Sequence, residues 1–221
     1  MTDAEEHAGR LAAEAIADGQ PMAWFERLYA EASDGAAVVP WDSAEPHFVV
    51  AGWARERALD GRGRRALVVG AGLGRDAEFI AGFGFDTTAF DISPSAVASA
   101  RDRHAGSSVH YQQADLLDPP PEWHHAFDLV IESLTVQALP DPPRRDAIAQ
   151  VPRLVGPGGT LLVVAAGRDD DDPPEPGPPW PLLRAEVGAF ASDGLETVRI
   201  EELRDPGPPH RLRWRAEFHR S

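Results

Sequence analysis

The feature that most constrains this chain is a glycine-rich turn that follows a short apolar run. The run Ala66–Val69 has the composition of a buried parallel strand. Gly70, Gly72 and Gly74 follow it at alternate positions. Glycine permits positive φ and lets a ligand approach bare backbone closely. The sequence therefore predicts a strand that ends in a ligand-binding turn.

The segment after this turn adds a helix and an acid. Arg75–Ala81 predicts a short helix, whose first N–H groups favour an anionic group such as a carboxylate or phosphate. Gly82 and Gly84 end that helix, and the strand Asp86–Phe90 then stops at Asp91. An acid about 20 residues beyond such a turn, at the tip of the second strand, suits the hydroxyl pair of a ribose. The stretch predicts a site for a nucleoside-containing cofactor.

The composition restricts the available chemistry. All 21 basic residues are Arg, and the sequence contains no Lys, Cys or Asn. Thiolate nucleophiles, disulfides, cysteine-ligated metals, Schiff-base lysines and the lysine of phosphate-binding loops are therefore excluded. Catalysis has to use carboxylates, His, Arg, hydroxyls, the backbone or a cofactor. No spacing of His and carboxylates suggests a metal site.

Charge and hydropathy narrow the location and the partners. The formal net charge is −15, and no basic patch is visible that would neutralise nucleic acid. No apolar run reaches the length of a membrane span, and the acidic start MTDAEEHAGR lacks the regions of a signal peptide. We expect a cytoplasmic monomer or homodimer that has neither nucleic acid nor a membrane as a partner.

Helical and strand patterns alternate along the chain. With short loops between them, they predict an α/β fold with a doubly wound, mostly parallel sheet whose strand tips share one edge. Two period-two segments near the C terminus predict an antiparallel hairpin at the sheet edge. We expect helices at 3–18, 22–33, 47–59, 75–81, 94–103, 142–155 and 182–191, and strands at 66–69, 86–90, 109–112, 127–131, 160–165, 195–203 and 211–219.

We expect one domain, residues 1–221, made of four parts. Residues 1–59 form an N-terminal helical lid or cap, and residues 60–166 form the cofactor-binding core. Residues 167–181 are an acidic, proline-rich loop that cannot build a core and serves as a solvated linker or a lid. Residues 182–221 form a helix and the hairpin.

Over roughly residues 66–165 the chain resembles class I S-adenosylmethionine-dependent methyltransferases. VVGAGLG is similar to the glycine motif of that family, AFDIS to the segment whose acid holds the ribose hydroxyls, and QQADLLD to the segment that flanks the adenine. LVGPGGTLLVV before the fifth strand is also typical. The resemblance implies a seven-stranded sheet, S-adenosyl-L-methionine as the cofactor, and methyl transfer to a small-molecule acceptor.

The N-terminal segment resembles one branch of this family. Trp24, Tyr29 and PWDSAEP at 40–46 are similar to the thiopurine, thiol and halide methyltransferases and to tellurite-resistance-type relatives. In that branch a lid with tryptophans closes over the cofactor. The expected cofactor contacts are Trp24, Trp41, Gly70, Ala71, Gly72, Gly74, Asp91, Ile92, Asp115, Leu116 and Glu132.

The sequence departs from the family pattern at two places. Ser43 stands where the branch usually has Gly after the Asp of its PWD segment. Val68-Val69 stand where many members carry an acid just before the first glycine. Backbone carbonyls near Gly70 are then expected to bind the amino group of the methionine part.

The tip of the fourth strand is expected to face the transferred methyl group. Glu132 is the candidate catalytic residue there, as a contact to substrate or cofactor, and helix capping is its alternative role. His124 and His125 precede this strand, either as exposed loop residues without a role or as bases. Methyl transfer from a sulfonium mainly needs alignment and exclusion of water, so a thiol or other soft nucleophile requires little help from a base.

Three classes of function stay open. The first is a small-molecule methyltransferase whose acceptor is a thiol, a chalcogenide, a halide or a hydroxyl of a specialised metabolite. The second is a nicotinamide-dependent oxidoreductase, but the third glycine comes too early for its turn and the chain has no Lys for a Tyr/Lys pair. The third is a non-catalytic protein that binds S-adenosylmethionine.

Overall fold

The computed structural model describes every residue except Met1, Pro174, Pro176 and Pro208. The described residues form a seven-stranded sheet with the strand order β3-β2-β1-β4-β5-β7-β6. The strands are β1 (Arg65–Val69), β2 (Asp86–Asp91), β3 (His110–Gln113), β4 (Phe127–Ser133), β5 (Val155–Ala166), β6 (Leu195–Arg204) and β7 (Leu212–Arg220).

The first five strands are parallel, and β7 pairs antiparallel with both β5 and β6. This confirms the predicted mostly parallel α/β sheet with a C-terminal antiparallel hairpin. Because β7 is reversed, its first residues lie beside the last residues of β5, with Arg213 opposite Ala166. The hairpin turn between β6 and β7 therefore lies at the same edge as the carboxyl ends of the parallel strands.

The α-helices of the described chain occur where the sequence patterns predict them, within a few residues. Thr2 caps the first helix by accepting a hydrogen bond from the Glu5 amide, and Ser93 caps the fifth by accepting one from Ala96 at 3.0 Å. The helices are α1 (Asp3–Ala17), α2 (Ala23–Ser33), α3 (Phe48–Glu56), α4 (Arg75–Ala81), α5 (Pro94–Arg103), α6 (Pro143–Gln150) and α7 (Arg184–Gly188).

The central strands of the sheet are buried on both faces, whereas the edge strand β6 is largely exposed. Leu67 and Val130 belong to the apolar cluster on one face, together with side chains of α6 and α7. Val68 and Ile131 belong to the cluster on the other face, together with side chains of α3, α4 and α5. This two-sided burial explains why β1 and β4 consist of nearly continuous apolar runs. Helices α1 and α2 pack together in a separate apolar cluster.

The structure corrects the sequence prediction around β5. The predicted helix 142–155 ends at Gln150, a 3₁₀ turn covers Val151–Leu154, and β5 begins at Val155 instead of residue 160. The glycines from Gly156 to Gly159, expected to precede the strand, lie within it. They form an irregular pairing with β4, because Phe127 pairs with Val155 whereas Leu129 pairs with Thr160.

One other predicted helix differs in length. The helix expected at 182–191 is the shorter α7. The acidic loop 167–181 contains Pro174 and Pro176, and the turn 205–209 contains Pro208, so those prolines lie outside the described residues. The rest of the acidic loop has neither helix nor strand, and its end is fixed by the Trp180 amide, which donates to the Gln137 carbonyl at 2.8 Å. In the described chain, no helix has the length and apolarity needed to cross a membrane.

The irregular start of β5 predicts a glycine requirement. A Cβ at Gly159 would lie 2.8 Å from the backbone oxygens of Gly156 and Phe127, which cannot move freely. Gly159→Ala should lower the free energy of unfolding by about 1–3 kcal/mol, measured by urea denaturation. Gly9→Ala in α1 is the control, because its Cβ meets open space and the change should be neutral or stabilising by about 1 kcal/mol. Equal stabilities of the two variants would contradict this account.

Candidate functional site

A cavity of about 410 Å³ opens at the carboxyl ends of the parallel strands. Its volume lies in the range of about 300–1,000 Å³ that small-molecule sites occupy. It is bounded by the tips of β1, β2 and β4, by the N-terminal helices, and by the β6–β7 turn. The expected contact residues that line it are Trp24, Trp41, Gly70, Ala71, Gly72, Asp91, Ile92, Asp115 and Leu116. Gly74 and Glu132 are not among its lining residues.

The glycine turn leaves space that other side chains use. Gly70, Gly72 and Gly74 all have positive φ, and a Cβ on any of them would collide with a neighbouring side chain. At Gly72 the neighbour is the hydroxyl oxygen of Tyr29, 2.7 Å from the position of a Cβ. At Gly74, which begins α4, it is the hydroxyl of Tyr111 in β3. Gly74 therefore serves the packing of α4 against β3 and does not face the cavity.

Asp91 joins the glycine turn to the start of α5. Its Oδ2 accepts a hydrogen bond from the Gly72 amide at 2.9 Å, and its Oδ1 accepts one from the Ser93 amide at 3.0 Å. Burial raises the pKa of Asp91, while these backbone hydrogen bonds oppose the increase. Each carboxylate oxygen can accept a second hydrogen bond, so both remain available to a ligand in the cavity.

The loop after β3 lies on the same side of the cavity. Asp115 Oδ1 accepts a hydrogen bond from the Leu117 amide at 2.8 Å, and its Oδ2 has no hydrogen bond to any described residue. Leu116 is buried and Ile92 is partly buried. The arrangement offers one free acceptor between two apolar walls, which suits a flat heterocycle that carries an amino group.

Three aromatic residues of the N-terminal segment cover the glycine turn. Trp24 is buried and stacks on Phe25, and its ring centroid lies 6.0 Å from that of Trp41 in an edge-to-face arrangement. Trp41 Nε1 donates to the Tyr29 hydroxyl at 2.9 Å. Burial, together with the nearby charge of Asp91, raises the pKa of Tyr29 well above its usual value. Its hydroxyl therefore stays protonated and keeps a donor.

Two of the polar contacts that attach the N-terminal segment to the core involve Glu26 and Asp42. Glu26 of α2 accepts hydrogen bonds from the hydroxyls of Ser93, at 2.6 Å, and Ser95, at 2.7 Å, at the beginning of α5. Partial burial alone would raise the pKa of Glu26, but these hydrogen bonds lower it below its usual value. Asp42, next to Trp41, forms a two-pronged ion pair with Arg103 at 2.6 and 2.9 Å. Both contacts hold the aromatic cover over the turn.

Glu132 has the capping role that the sequence analysis gave as the alternative to a contact with substrate or cofactor. Its side chain is fully buried at the end of β4. Oε1 accepts hydrogen bonds from the amides of Thr135 and Val136, at 2.8 and 3.0 Å, at the start of a 3₁₀ turn. Oε2 is buried without a partner in the described chain. Since Glu132 is not part of the cavity wall, the structure does not support a contact to substrate or cofactor.

His124 and His125 lie at the opposite edge of the sheet from the cavity. They immediately precede β4, at the amino ends of the parallel strands. His125 Nε2 contacts Asp193 Oδ2 at 2.8 Å, and Asp193 also pairs with Arg220 at 2.9 Å. This position excludes either histidine as a base in the cavity. No cluster of three or more His, Asp or Glu that would hold a metal occurs in the described parts of the chain.

The cavity wall also contains polar residues that are not among the site residues expected from the sequence. Gln137 follows β4, and Arg213 pairs with Asp205 at 2.7 and 2.8 Å beside the hairpin turn. Asp76 could have been predicted as a site residue from the sequence, because it comes two residues after Gly74. Arg211 and Arg213 could not be predicted as site residues, because only the pairing of β7 with β5 brings them to the cavity. The additional lining residues with polar side chains include Glu5, Tyr29, Asp42, Ser43, Arg75, Asp76, Gln137, Arg211 and Arg213.

The strand order and the position of the cavity define the class of fold. The fold is similar to that of methyltransferases of known structure. The Burkholderia thailandensis 1,6-didemethyltoxoflavin-N1-methyltransferase, solved with its substrate and S-adenosylhomocysteine, superimposes with a TM-score of 0.67 and 16% identity, over 100% of this chain and 92% of that chain. A second structure concerns the conversion of a disulfide bond into a thioacetal group during echinomycin biosynthesis. It superimposes with a TM-score of 0.70 and 21% identity, over 89% of this chain and 92% of that chain.

The core sequence is similar to that of proteins named as methyltransferases. Residues 66–159 match the methyltransferase domain family. Malonyl-[acyl-carrier protein] O-methyltransferase of Salmonella typhimurium is 37% identical over 95 residues, which are 43% of this chain and 36% of that relative. The chain thus matches only about a third of the length of this curated relative. The fold is similar to that of class I methyltransferases, and the family match covers the core residues 66–159 only.

The buried Glu132 predicts a pH-dependent stability. Burial raises the pKa of Glu132 to about 7, although its two backbone hydrogen bonds lower it. The unfolded chain releases this proton at a lower pH, so the folded protein loses stability as pH rises from about 4.5 to about 7, by about 3 kcal/mol in total. Glu132→Gln keeps an acceptor for Thr135 and Val136 and removes the titration.

Urea unfolding of both proteins near pH 5 and near pH 8 measures this difference. The stability of Glu132→Gln relative to the parent should rise by about 2–3 kcal/mol between the two pH values. Glu196→Gln, an exposed position in β6, should show no such change. The same pH dependence in the parent and in Glu132→Gln would refute the assignment.

Proposed function

We propose that the protein binds S-adenosylmethionine in this cavity and transfers its methyl group to a small-molecule acceptor. One observation carries the proposal. The acid at the end of β2 lies in the cavity wall and holds the glycine turn at the end of β1, as a ribose site requires. The match of residues 66–159 to the methyltransferase domain family supports the same conclusion.

The residues present fit the parts of this cofactor. Asp91 offers two carboxylate oxygens to the ribose hydroxyls. Ile92 and Leu116 offer apolar contact to the adenine, and Asp115 Oδ2 offers an acceptor for its amino group. When bound, the cofactor supplies an electrophilic methyl group on a sulfonium. The protein then has to orient the acceptor and exclude water, and the aromatic cover formed by Trp24 and Trp41 supports the second task.

The other half of the cavity is assigned to the acceptor. It extends from the tip of β4 towards the β6–β7 turn, where Gln137, Pro178, Pro179, Arg211 and Arg213 line it. No histidine lies among its described lining residues, and Tyr29 is held protonated. A base suited to neutral pH is therefore lacking. We infer an acceptor that is soft or already anionic near neutral pH, with a thiol as the first choice.

The resemblance of the N-terminal segment to thiopurine, thiol and halide methyltransferases supports a sulfur acceptor. Transfer to oxygen is the second candidate, because the Salmonella relative is named as an O-methyltransferase. A carboxylate oxygen would satisfy the same requirement, since it needs no base. Release of S-adenosylhomocysteine across a panel of thiols, phenols, carboxylic acids and iodide distinguishes these acceptors from each other and from a protein that only binds the cofactor.

The first test is cofactor binding. We expect calorimetry to show S-adenosylhomocysteine binding with a dissociation constant on the order of micromolar, and no binding of NADH or NADPH. Asp91→Ala should weaken binding about 10- to 100-fold, because each charge-assisted hydrogen bond contributes about 1.5–3 kcal/mol. Asp86→Ala is the matched control, since Asp86 lies at the exposed start of the same strand. Tighter binding of a nicotinamide cofactor, or an unchanged affinity in Asp91→Ala, would contradict the proposal.

The second test concerns the missing base. For a thiol acceptor, the rate should rise with pH and level off near the pKa of the thiol itself. The double variant His124→Gln and His125→Gln should keep that profile, because both residues lie at the far edge of the sheet. Thermal unfolding checks that the double variant still folds. A loss of turnover of about a hundredfold with cofactor binding intact would show that a histidine acts as the base.

A further inference from the structure

The end of β1 provides no acid for the methionine part of the cofactor. Val68 and Val69 directly precede the glycine turn, and both are buried in the sheet. The ammonium group of S-adenosylmethionine carries a full positive charge and three N–H donors. In a largely enclosed site, neutral backbone carbonyls alone leave that charge without a charged partner, which is costly.

Asp76 presents a carboxylate to the same cavity from the other side of the glycine turn. It lies in α4, its side chain is only 9% exposed, and it lines the cavity together with Gly70 and Gly72. Its Oδ1 accepts a hydrogen bond from the His47 amide at 2.8 Å and lies 3.5 Å from Arg75 Nε. One of the two carboxylate oxygens is thus committed to the protein.

The other oxygen, Oδ2, makes no hydrogen bond to any residue that the structure describes. Oδ2 is also not completely buried, and Asp76 is part of the cavity wall. The neighbouring His47 does not add a charge, because burial lowers its pKa to about 4 and keeps the ring neutral. The guanidinium of Arg75 lies beside Asp76, with Nε 3.5 Å from Oδ1.

We propose that Asp76 Oδ2 accepts a hydrogen bond from the ammonium group of the methionine part of the cofactor. Asp76 thereby replaces the acid that is absent before Gly70, and it assists the backbone carbonyls expected at that place. The assignment rests on the proposed function. It also gives the carboxylate two tasks, since Oδ1 ties the start of α3 to α4 while Oδ2 recognises the ligand.

The test compares two ligands that differ at the methionine part. S-adenosylhomocysteine carries the ammonium group, whereas 5′-methylthioadenosine has the same adenosine and sulfur but no amino-acid part. Asp76→Asn keeps an oxygen for the His47 amide and removes the charge. Calorimetry should show affinity for S-adenosylhomocysteine reduced about 10-fold or more in this variant, with affinity for 5′-methylthioadenosine unchanged within about twofold. Asp146→Asn, at an exposed aspartate in the first turn of α6, should change neither affinity.

The other outcomes overturn the assignment in distinguishable ways. Equal losses for both ligands would show that Asp76 only supports the fold of the turn, and no loss for either would show that it does not contact the ligand. Failure of the parent protein to bind either ligand would instead remove the proposed function and the assignment with it. Asp76→Ser, which also keeps an acceptor without a charge, serves if thermal unfolding shows that Asp76→Asn does not fold.

Discussion

The carboxylate of Asp91 connects the parts of the structure on which the cavity depends. Through the amides of Gly72 and Ser93 it fixes the glycine turn after β1 and the start of α5 to the end of β2. A buried carboxylate is costly unless it is hydrogen-bonded, so the two amides must remain in place. Their position forces positive φ at Gly72 and brings bare backbone to the cavity wall.

The N-terminal segment completes the site because the glycine turn contributes only the apolar side chains of Ala71 and Leu73. The Tyr29 hydroxyl occupies the space beside Gly72, and Trp41 donates to that hydroxyl. Glu26 and the pair Asp42–Arg103 attach this segment to α5, the same helix whose first turn is held by Asp91. The turn, the acid and the aromatic cover therefore depend on one another, although they are up to 67 residues apart in the chain.

Local elements and the type of sheet could be predicted from the sequence, whereas the register of strand pairing and the direction of individual side chains could not. The run from β1 to Asp91 and the cap at Ser93 follow from local patterns. The early start of β5 could not be predicted, because it depends on how Val155 pairs with Phe127. The sequence showed an acid at the tip of β4 but not the direction of its side chain, and the structure shows Glu132 capping the 3₁₀ turn without lining the cavity. Arg211 and Arg213 were missed because only the reversed β7 brings them to the carboxyl edge.

The most direct test of this account is a crystal structure of the protein with S-adenosylhomocysteine. The account predicts that the ribose hydroxyls lie within hydrogen-bond distance of the Asp91 carboxylate and that the adenine lies between Ile92 and Leu116. The homocysteine part should extend over Gly70 towards Asp76. An adenosine bound away from Asp91, or a ligand bound outside this cavity, would contradict it.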